Sequence, residues 1–266
     1  MKQSPNSQCL IPYILFLADS TLILSHRNSE WCGHGPILEQ DIALTNIALD
    51  LLGQSRNFYQ YAAELINEQQ NLQDVKVPPS EGFREASEDS LAYLRNERDF
   101  KNLLLVELPN GDWGQTILKQ FYFSTYQLYL FQQLQNHSNQ QLAAIAAKAI
   151  KEVMYHIRWS SEWVIRLGDG TEESNERMTN AVEALKDYTN EMFIAADYEV
   201  EMAIDLKLIQ QQWTEKVKTV FEEATLSLPE KVFNQTGGKR GIHTEHLGYI
   251  LAEMQHLQRA YPNAEW

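Results

Sequence analysis

The sequence predicts an all-α protein. Its 8 prolines and 12 glycines are few for 266 residues, and they are concentrated at a small number of sites, so long uninterrupted stretches lie between them. No stretch shows the alternation of apolar and polar residues that is typical of a strand, and no internal repeat is visible. We therefore expect long helices that pack against one another.

The first helix is expected from Ile11 to Asn28, with Pro12 in its first turn, where proline is tolerated. After the turn at Gly35-Pro36, a long helix is expected from Ile37 to Glu68. Apolar residues lie on almost every side of this second helix, as in a helix surrounded by others; they are Ile42, Ala43, Leu44, Ile47, Ala48, Leu49, Leu51 and Leu52. A narrow polar seam runs through it, formed by Asn46, Asp50, Gln54 and Asn57.

The stretch from Asn71 to Glu88 is polar, contains a proline pair and is interpreted as a surface connector. A third helix is expected to begin near Glu88, and helical spacing continues from Ser90 to Leu108, until Pro109-Asn110-Gly111 breaks it. The next helix, from Trp113 to Gln135, carries a dense aromatic series that we interpret as core, packed partly against a partner. The series is Phe121, Tyr122, Phe123, Tyr126, Tyr129 and Phe131.

The following helix is expected from Asn139 to Leu167, with a left-handed cap at Gly168, and Thr171 with Glu173 or Ser174 signals the start of another. Further helices are expected at about 172–194, 210–226 and 243–260. The helices at about 11–28, 37–68, 111–135 and 139–167 describe a ferritin-like four-helix bundle. We expect a single domain, residues 1–266, with its bundle core at about 11–168 and additional C-terminal helices at about 171–260.

Composition limits the class of protein. The net charge of −14 repels phosphate backbones and makes nucleic acid an unexpected partner. Met1–Gln8 is polar, and we find no run of about eighteen apolar residues, so neither a signal peptide nor a membrane span is expected. Cys9 and Cys32 are too few for a disulfide framework and too far apart for a zinc pair. We expect a cytoplasmic protein whose thiols are free.

Five motifs follow one another in an order that is specific to one family. They are SEWCGHGP at 29–36, DIAL with LDLLGQ within 41–54, NLLLVE at 102–107, RLGDGTEES at 166–174 and HTEHLGY at 243–249. Together they span most of the chain. They resemble the C subunits of bacterial phenylacetyl-CoA 1,2-epoxidases, the multicomponent, NADPH-dependent monooxygenases of aerobic phenylacetate degradation.

The resemblance implies a structural, non-catalytic subunit. Its expected partner is the homologous A subunit, which carries the di-iron centre and binds the aryl-CoA substrate, and the heterodimer is expected to assemble further with other epoxidase components. No cofactor, nucleic acid or membrane is expected to bind this chain itself.

The A-subunit pattern, aligned on Asp50-x-x-Gly53 and Lys151-Glu152, also implies a vacated metal site. A di-iron bundle uses Glu-x-x-His, which gives an oxygen and an imidazole to one ion, but Val153 stands where His156 requires a glutamate. Hydroxyls and an amide replace further carboxylates, which are the ligands that hold two iron cations. The six positions are Thr21, Leu51, Gln54, Ser124, Val153 and His156, of which His156 alone is an iron ligand.

A polar network is expected to occupy the space of the irons and to fix the register of the helices. Its predicted members are Asp19, Asp50, Gln54, Lys151 and His156, with Asp50 and Lys151 as direct partners.

Three other groups of residues have candidate chemistry. His243 and His246, with Glu245, have metal-like spacing, but helix capping by Thr244 or His243 is the commoner use of such a sequence. Lys239 and Arg240, in the glycine-rich loop 237–241, are candidates for contact with the CoA of the partner's substrate or with the partner itself; a solvated, mobile loop is the simpler interpretation. Cys32 beside His34 resembles a nucleophile pair, but lacks an identifiable orienting group.

Two other functions stay open at this point. One is a ferritin-like di-iron oxidase or hydroxylase with an atypical metal site built from Asp19, Asp50, Glu152 and His156. The other is a ligand-carrying helical bundle unrelated to oxygenases.

Overall fold

The computed structural model describes residues 7–68, 85–229, 231–261 and 264, and within these ranges no strand is present, so the all-α prediction is confirmed. Residues 71–84 of the predicted connector lie outside the described part of the chain. The α-helices are α1 Ser7–Ser29, α2 Leu38–Glu68, α3 Glu88–Tyr93, α4 Leu104–Glu107, α5 Trp113–Leu134, α6 Gln140–Gly168, α7 Glu172–Leu185, α8 Asp197–Val200, α9 Leu206–Glu223, α10 Glu245–Met254 and α11 His256–Ala260.

The long helices α1, α2, α5 and α6 form the predicted ferritin-like bundle. α1 and α2 are antiparallel: the Ser25 hydroxyl donates to the Ala48 carbonyl at 2.7 Å, and the Ser55 hydroxyl donates to the Ala18 carbonyl at 3.0 Å. α5 and α6 form the second closely packed pair, and α2 packs against α6. Their apolar side chains, together with those of the later helices, belong to one continuous core.

The ends of the long helices follow local capping signals. The Asp112 carboxylate accepts a hydrogen bond from the Gln115 N–H at 2.9 Å at the start of α5, and Asn139 caps α6 in the same way. The predicted start of α1 was wrong, because the helix begins at Ser7 and Pro12 lies inside it. Burial of Leu10 and Ile11 offsets the backbone hydrogen bond that is lost at the proline.

α1 is more apolar than the sequence analysis suggested. Within Cys9–Ser29, a window of 18 residues has a mean hydropathy of 1.5, enough by length and composition to span a membrane, and α1 is the one such helix among the described residues. However, 83% of that window is buried inside the structure. Ile14, Phe16 and Leu24 are fully buried, so the hydropathy of α1 matches its place among the other helices.

The aromatic series of α5 lies in the core, as predicted, and packs largely within this chain; the predicted contact with a partner stays a prediction. Apart from the half-buried Tyr129, its members are buried. Trp213 of α9 lies against Tyr122, with ring centroids 5.2 Å apart, and the Trp213 indole N–H donates to the Tyr122 carbonyl at 2.9 Å. The series therefore attaches α9 to the bundle.

The prediction of helix from Ser90 to Leu108 was wrong for most of that range. α3 ends at Tyr93, and only a 3₁₀ turn at Glu97–Asp99 and the four-residue α4 follow. The fully buried Asp19 carboxylate explains the irregular path: it pairs with the Arg95 guanidinium and accepts hydrogen bonds from the Tyr59 hydroxyl at 2.5 Å and the Lys101 N–H at 2.8 Å. These long-range bonds replace helical ones.

The chain after α6 packs α7 and α9 against α5 and α6. Thr171 caps α7, with its hydroxyl accepting from the Ser174 N–H at 3.2 Å, as predicted. Gly168, by contrast, has no left-handed conformation, so the predicted cap was wrong. A Cβ at Gly168 would lie 2.3 Å from the Ala224 carbonyl oxygen; this glycine permits the close approach of the end of α9.

Two of the three predicted C-terminal helices are shorter than predicted, whereas the expected 210–226 helix is present as α9, Leu206–Glu223. The expected 172–194 helix is α7 followed by 3₁₀ turns at Lys186–Tyr188 and Asn190–Phe193, and the expected 243–260 helix is divided into α10 and α11. α10 packs against α4 and the 3₁₀ turn at Glu97–Asp99.

We expect Asp19→Asn to destabilise the protein strongly, because it leaves the Arg95 guanidinium buried without its counter-charge. Removing one partner of a buried ion pair costs about 3–5 kcal/mol, and urea denaturation followed by circular dichroism measures the change in the free energy of unfolding. Glu222→Gln, which removes the exposed pair with Lys218, is the matched control and should cause little measurable change. Equal effects of the two substitutions would contradict this prediction.

Candidate functional site

The candidate site is the interior between the four long helices, where the vacated metal positions were predicted. All six of those residues are at most 2% exposed. They come from every bundle helix: Thr21 from α1, Leu51 and Gln54 from α2, Ser124 from α5, and Val153 and His156 from α6. Their assignment as former ligand positions stays a prediction that depends on the family resemblance.

The hydroxyl groups at these positions are bonded within the interior. The Thr21 hydroxyl donates to the carbonyls of Leu17 at 2.9 Å and Ala18 at 3.0 Å, both in its own helix. Ser124 accepts from the Gln120 amide at 2.7 Å, and Gln120 accepts in turn from the Asn28 amide at 2.7 Å. The latter chain of amides connects α1 to α5 by side-chain hydrogen bonds.

Gln54 of α2 connects to both α5 and α6. Its side-chain oxygen accepts from the Gln127 amide of α5 at 2.9 Å, and its amide nitrogen donates to the Glu152 carboxylate of α6 at 2.8 Å. One side chain of α2 therefore forms a hydrogen bond with each of two neighbouring helices, α5 and α6.

His156 lies beside Asp50. Its ring Nε2 is 3.0 Å from the Asp50 carboxylate, and the imidazole is fully buried while the Asp50 side chain is 35% exposed. The Nδ1 atom of His156 has no protein partner within hydrogen-bonding distance among the described residues. The pair links the interior to the outer surface of α2.

The predicted five-residue network is divided in the structure. Asp50 contacts His156 and not Lys151, which is exposed and forms no ion pair with the described residues. Asp19 belongs to a separate cluster, with Arg95 and Tyr59. The predicted Asp50–Lys151 pair is therefore wrong, and the physical reason is that Lys151 lies on the outer face of α6, where water solvates its ammonium group.

The donor set does not fit a di-iron centre. Leu51 and Val153 have no donor atom, the Thr21 hydroxyl is bonded to backbone carbonyls, and His156 is the one imidazole among the six positions. Two iron cations require several carboxylates to balance their charge. Across the described ranges, no three His, Cys, Asp or Glu side chains gather closely enough to hold a metal ion.

The atypical metal set of Asp19, Asp50, Glu152 and His156 does not come together either. The Asp19 carboxylate is occupied by Arg95, Tyr59 and the Lys101 N–H. Glu152 and Asp50 hold Gln54 and His156, respectively, and no metal-binding group of three results among the described residues.

The histidines at the start of α10 have structural contacts. The His243 ring is fully buried and lies 3.0 Å from both the Glu107 carboxylate and the Phe100 carbonyl oxygen. Thr244 caps α10, with its hydroxyl accepting from the His246 N–H at 3.3 Å, so the capping interpretation is confirmed.

The structure contradicts the predicted contact of Lys239 with CoA or a partner. Its ammonium group is buried and donates to the Glu199 carboxylate at 2.9 Å and to the carbonyls of Met192 and Ile194. The loop is not simply solvated, because Gly238–Arg240 forms a 3₁₀ turn with Gly238 buried. Only Arg240 of the two cations is exposed.

Cys32 and His34 do not form a nucleophile pair. The His34 ring lies 3.1 Å from the Cys32 carbonyl oxygen, and the Cys32 thiol lies 3.2 Å from the Thr45 hydroxyl. Both cysteines of the chain are free, as predicted.

Sequence reasoning missed three buried carboxylates that organise the irregular segments. Glu107 accepts from the Thr244 N–H at 2.7 Å, Glu191 accepts from the N–H groups of Leu104 at 2.8 Å and Gly237 at 2.7 Å, and Glu199 pairs with Lys239. Burial raises the pKa of Glu191, although these two N–H groups act to lower it. A charge at the end of the apolar run 103–106 was the available signal for Glu107.

The outer side of α2 is apolar and exposed, which contradicts the prediction that other helices of this chain surround α2. Together with the adjoining side of α6 it forms a surface that we call the docking face, whose six side chains are 37–72% exposed. Asp50 contacts His156 and Gln54 contacts Glu152. Leu49 and Leu52 of α2 therefore lie at the same height along the bundle as Met154 and Tyr155 of α6. The docking face consists of Leu38, Ile42, Leu49 and Leu52 from α2, and Met154 and Tyr155 from α6.

Comparisons with known proteins agree over the full length of the chain. Residues 1–266 match the family described as phenylacetic acid catabolic protein. The chain is 45% identical over 262 residues to the C subunit of the 1,2-phenylacetyl-CoA epoxidase of Escherichia coli (strain K12), and the match covers 97% of this chain and 99% of that relative.

We expect Gln54→Leu to lower the free energy of unfolding by about 1–3 kcal/mol, because it leaves the Gln127 amide and the inward oxygen of Glu152 without a partner. Urea denaturation measures the loss. Gln60→Leu, which removes a part-buried hydrogen bond to Glu88 elsewhere on α2, is the control and should cost less. A Gln54 variant as stable as the wild type would show that the interior bonds do not hold the helices.

Proposed function

The chain belongs to the phenylacetic acid catabolic protein family, and on that premise we propose that it is a structural, non-catalytic subunit of a phenylacetyl-CoA epoxidase complex. In this proposal it pairs with a homologous subunit that carries the di-iron centre and binds the aryl-CoA substrate, and the pair assembles further with other components in the cytoplasm.

One observation carries the non-catalytic role. At the predicted ligand positions the interior of the bundle holds two apolar side chains, two hydroxyls, one amide and one imidazole, and each polar side chain has a hydrogen-bond partner in the protein. Metal-dependent oxygen chemistry in such a bundle needs a set of inward carboxylates and histidines. The side chains at these positions therefore support a complex in which the partner, and not this chain, binds the metal.

The docking face supports the pairing. Ile42, Leu49 and Leu52 are separated by seven and three residues, so they share one stripe along α2, and such a stripe fits against a helix of another subunit. Exposed apolar surface of this kind marks interaction sites. A permanent interface is apolar at its centre, which matches the composition of the docking face.

The nature of the partner follows from the same helices. A homologous subunit has the same bundle, so its own α2-like and α6-like helices offer a surface of similar length and curvature for a near-symmetric contact. We therefore propose that the docking face of this chain is covered by the corresponding face of the catalytic subunit.

The location of the metal is one test. When this chain is co-expressed with its catalytic partner and purified as a complex, we expect iron to stay with the partner after the two proteins are separated, because this chain lacks the carboxylates that retain it. Elemental analysis of the separated chains measures the ratio of iron to protein. About two irons per copy of this chain, expressed by itself, would overturn the non-catalytic role.

The docking face is tested by Leu49→Asp. A carboxylate at the centre of an apolar interface is desolvated without a counter-charge, and we expect the dissociation constant of the complex to rise by at least about 100-fold. Surface plasmon resonance with the immobilised catalytic partner measures it. Circular dichroism should show an unchanged fold, because Leu49 is exposed in the single chain.

Leu257→Asp is the matched control, since Leu257 is a similarly exposed leucine on α11 and lies outside the docking face. We expect it to leave the dissociation constant unchanged. If Leu49→Asp binds as tightly as the wild type, the partner contacts another surface and the docking face has been assigned incorrectly.

A further inference from the structure

His243 is held between two hydrogen-bond acceptors. Its Nδ1 is 3.0 Å from the Glu107 carboxylate, and its Nε2 is 3.0 Å from the Phe100 carbonyl oxygen. The ring and the Glu107 side chain are both fully buried, so water does not replace either contact. The two nitrogens of this imidazole therefore both need a hydrogen to donate.

A neutral imidazole has only one N–H, so it would turn a lone pair towards either the carboxylate or the carbonyl. The doubly protonated ring donates to both. Glu107 also accepts from the Thr244 N–H at 2.7 Å and from the Asn102 amide at 3.0 Å. The geometry thus describes an imidazolium paired with a carboxylate.

We propose that His243 is a pH-sensitive latch, an imidazolium that fastens the C-terminal segment α10–α11 to the bundle and releases it when the ring loses a proton. The latch joins three parts of the chain: His243 directly precedes the Thr244 cap of α10, Glu107 ends α4, and Phe100 belongs to the irregular connector before α4.

The start of α10 depends on this contact because of where α10 packs, whereas the end of α10 and α11 are held by Gln255 and Arg259, which donate to the carbonyls of Ala92 and Arg95. The main neighbours of α10 are α4 and the 3₁₀ turn at Glu97–Asp99, rather than the long helices of the bundle. A helix with few such neighbours opens locally at a lower free energy than the core. Loss of the imidazolium removes a charge-assisted hydrogen bond at the start of α10, so the local opening of α10–α11 becomes easier.

The charged groups around His243 decide the direction in which its pKa is shifted. Burial by itself lowers the pKa of His243, but the hydrogen bond and charge of Glu107, the Phe100 carbonyl and the more distant Asp19 raise it above its ordinary value on balance. Asp19 is itself paired with Arg95. The charged or titratable groups on the adjoining segments include Glu97, Arg98, Asp99, Lys101, Lys239, Arg240, Glu245 and His246.

The raised pKa decides how the stability of α10–α11 depends on pH. The pKa is raised in the folded protein, so the latch contributes its full stability below the ordinary histidine pKa of about 6.5 and loses it as the pH rises through the raised value. Alkaline conditions should therefore loosen α10–α11.

Hydrogen exchange of the full-length chain, followed by mass spectrometry from pH 6 to 9 and corrected for the intrinsic exchange rate, measures the opening of α10–α11. In the wild type we expect the opening constant to rise between the ordinary histidine pKa of about 6.5 and the raised pKa of His243, by up to about tenfold per pH unit, and to level off above that raised pKa. In His243→Gln it should be raised at low pH and independent of pH. The control His256→Gln alters an exposed histidine of α11 and should keep the wild-type dependence.

A wild-type opening constant that does not change with pH would overturn the latch, as would a His243→Gln chain with the wild-type slope. A second measurement needs no variant. In the wild type labelled with ¹⁵N-histidine, nuclear magnetic resonance at pH 6.5 should show both ring nitrogens of His243 protonated, and the signature of a neutral tautomer would overturn the proposal.

Discussion

Buried carboxylates are the constraint on which much of this fold depends. Irregular backbone inside a protein has N–H groups that no helix satisfies, and each must find an acceptor. Here Asp19 receives the Lys101 N–H, Glu107 receives that of Thr244, and Glu191 receives those of Leu104 and Gly237. These three side chains supply acceptors to four N–H groups of the irregular segments.

Three of the buried carboxylates also have a positive or strongly donating neighbour. Asp19 pairs with Arg95, Glu107 lies against His243, and Glu199 pairs with Lys239. A buried charge is tolerated only when it is paired and hydrogen-bonded. The acidic composition of the chain therefore does not describe its interior, where acidic and basic side chains are matched one to one at these sites.

The bundle interior has a different chemistry. Between α1, α2, α5 and α6 the contacts are amide to amide, amide to carboxylate and imidazole to carboxylate, with Gln54 as the central connection. Such bonds specify which residues of neighbouring helices lie at the same height. The buried Leu51 and Val153 side chains have no atom that could bind a metal ion. Because the same two helices, α2 and α6, also carry the docking face, the register inside the bundle sets the shape of that face.

The site could be predicted only in part. The family resemblance placed the six predicted positions on the four long helices, and the structure buries all six side chains there. The sequence predicted Lys151 as the partner of Asp50, whereas His156 is the partner. It also predicted an anion contact for Lys239, which is enclosed by Glu199 and two carbonyls. In both cases the partner is distant in the sequence, and spacing along one helix carries no information about it.

The sequence by itself determined the helical class, the approximate bounds of α2, α5 and α6 and the cap at Thr171, because periodicity and capping are local properties of consecutive residues. Only the tertiary structure decided the path from 94 to 103 and the exposure of one side of α2. Those features depend on the side chains of Asp19 and Glu107 and on which helices of the same chain reach α2, and such contacts exist only after the chain has folded.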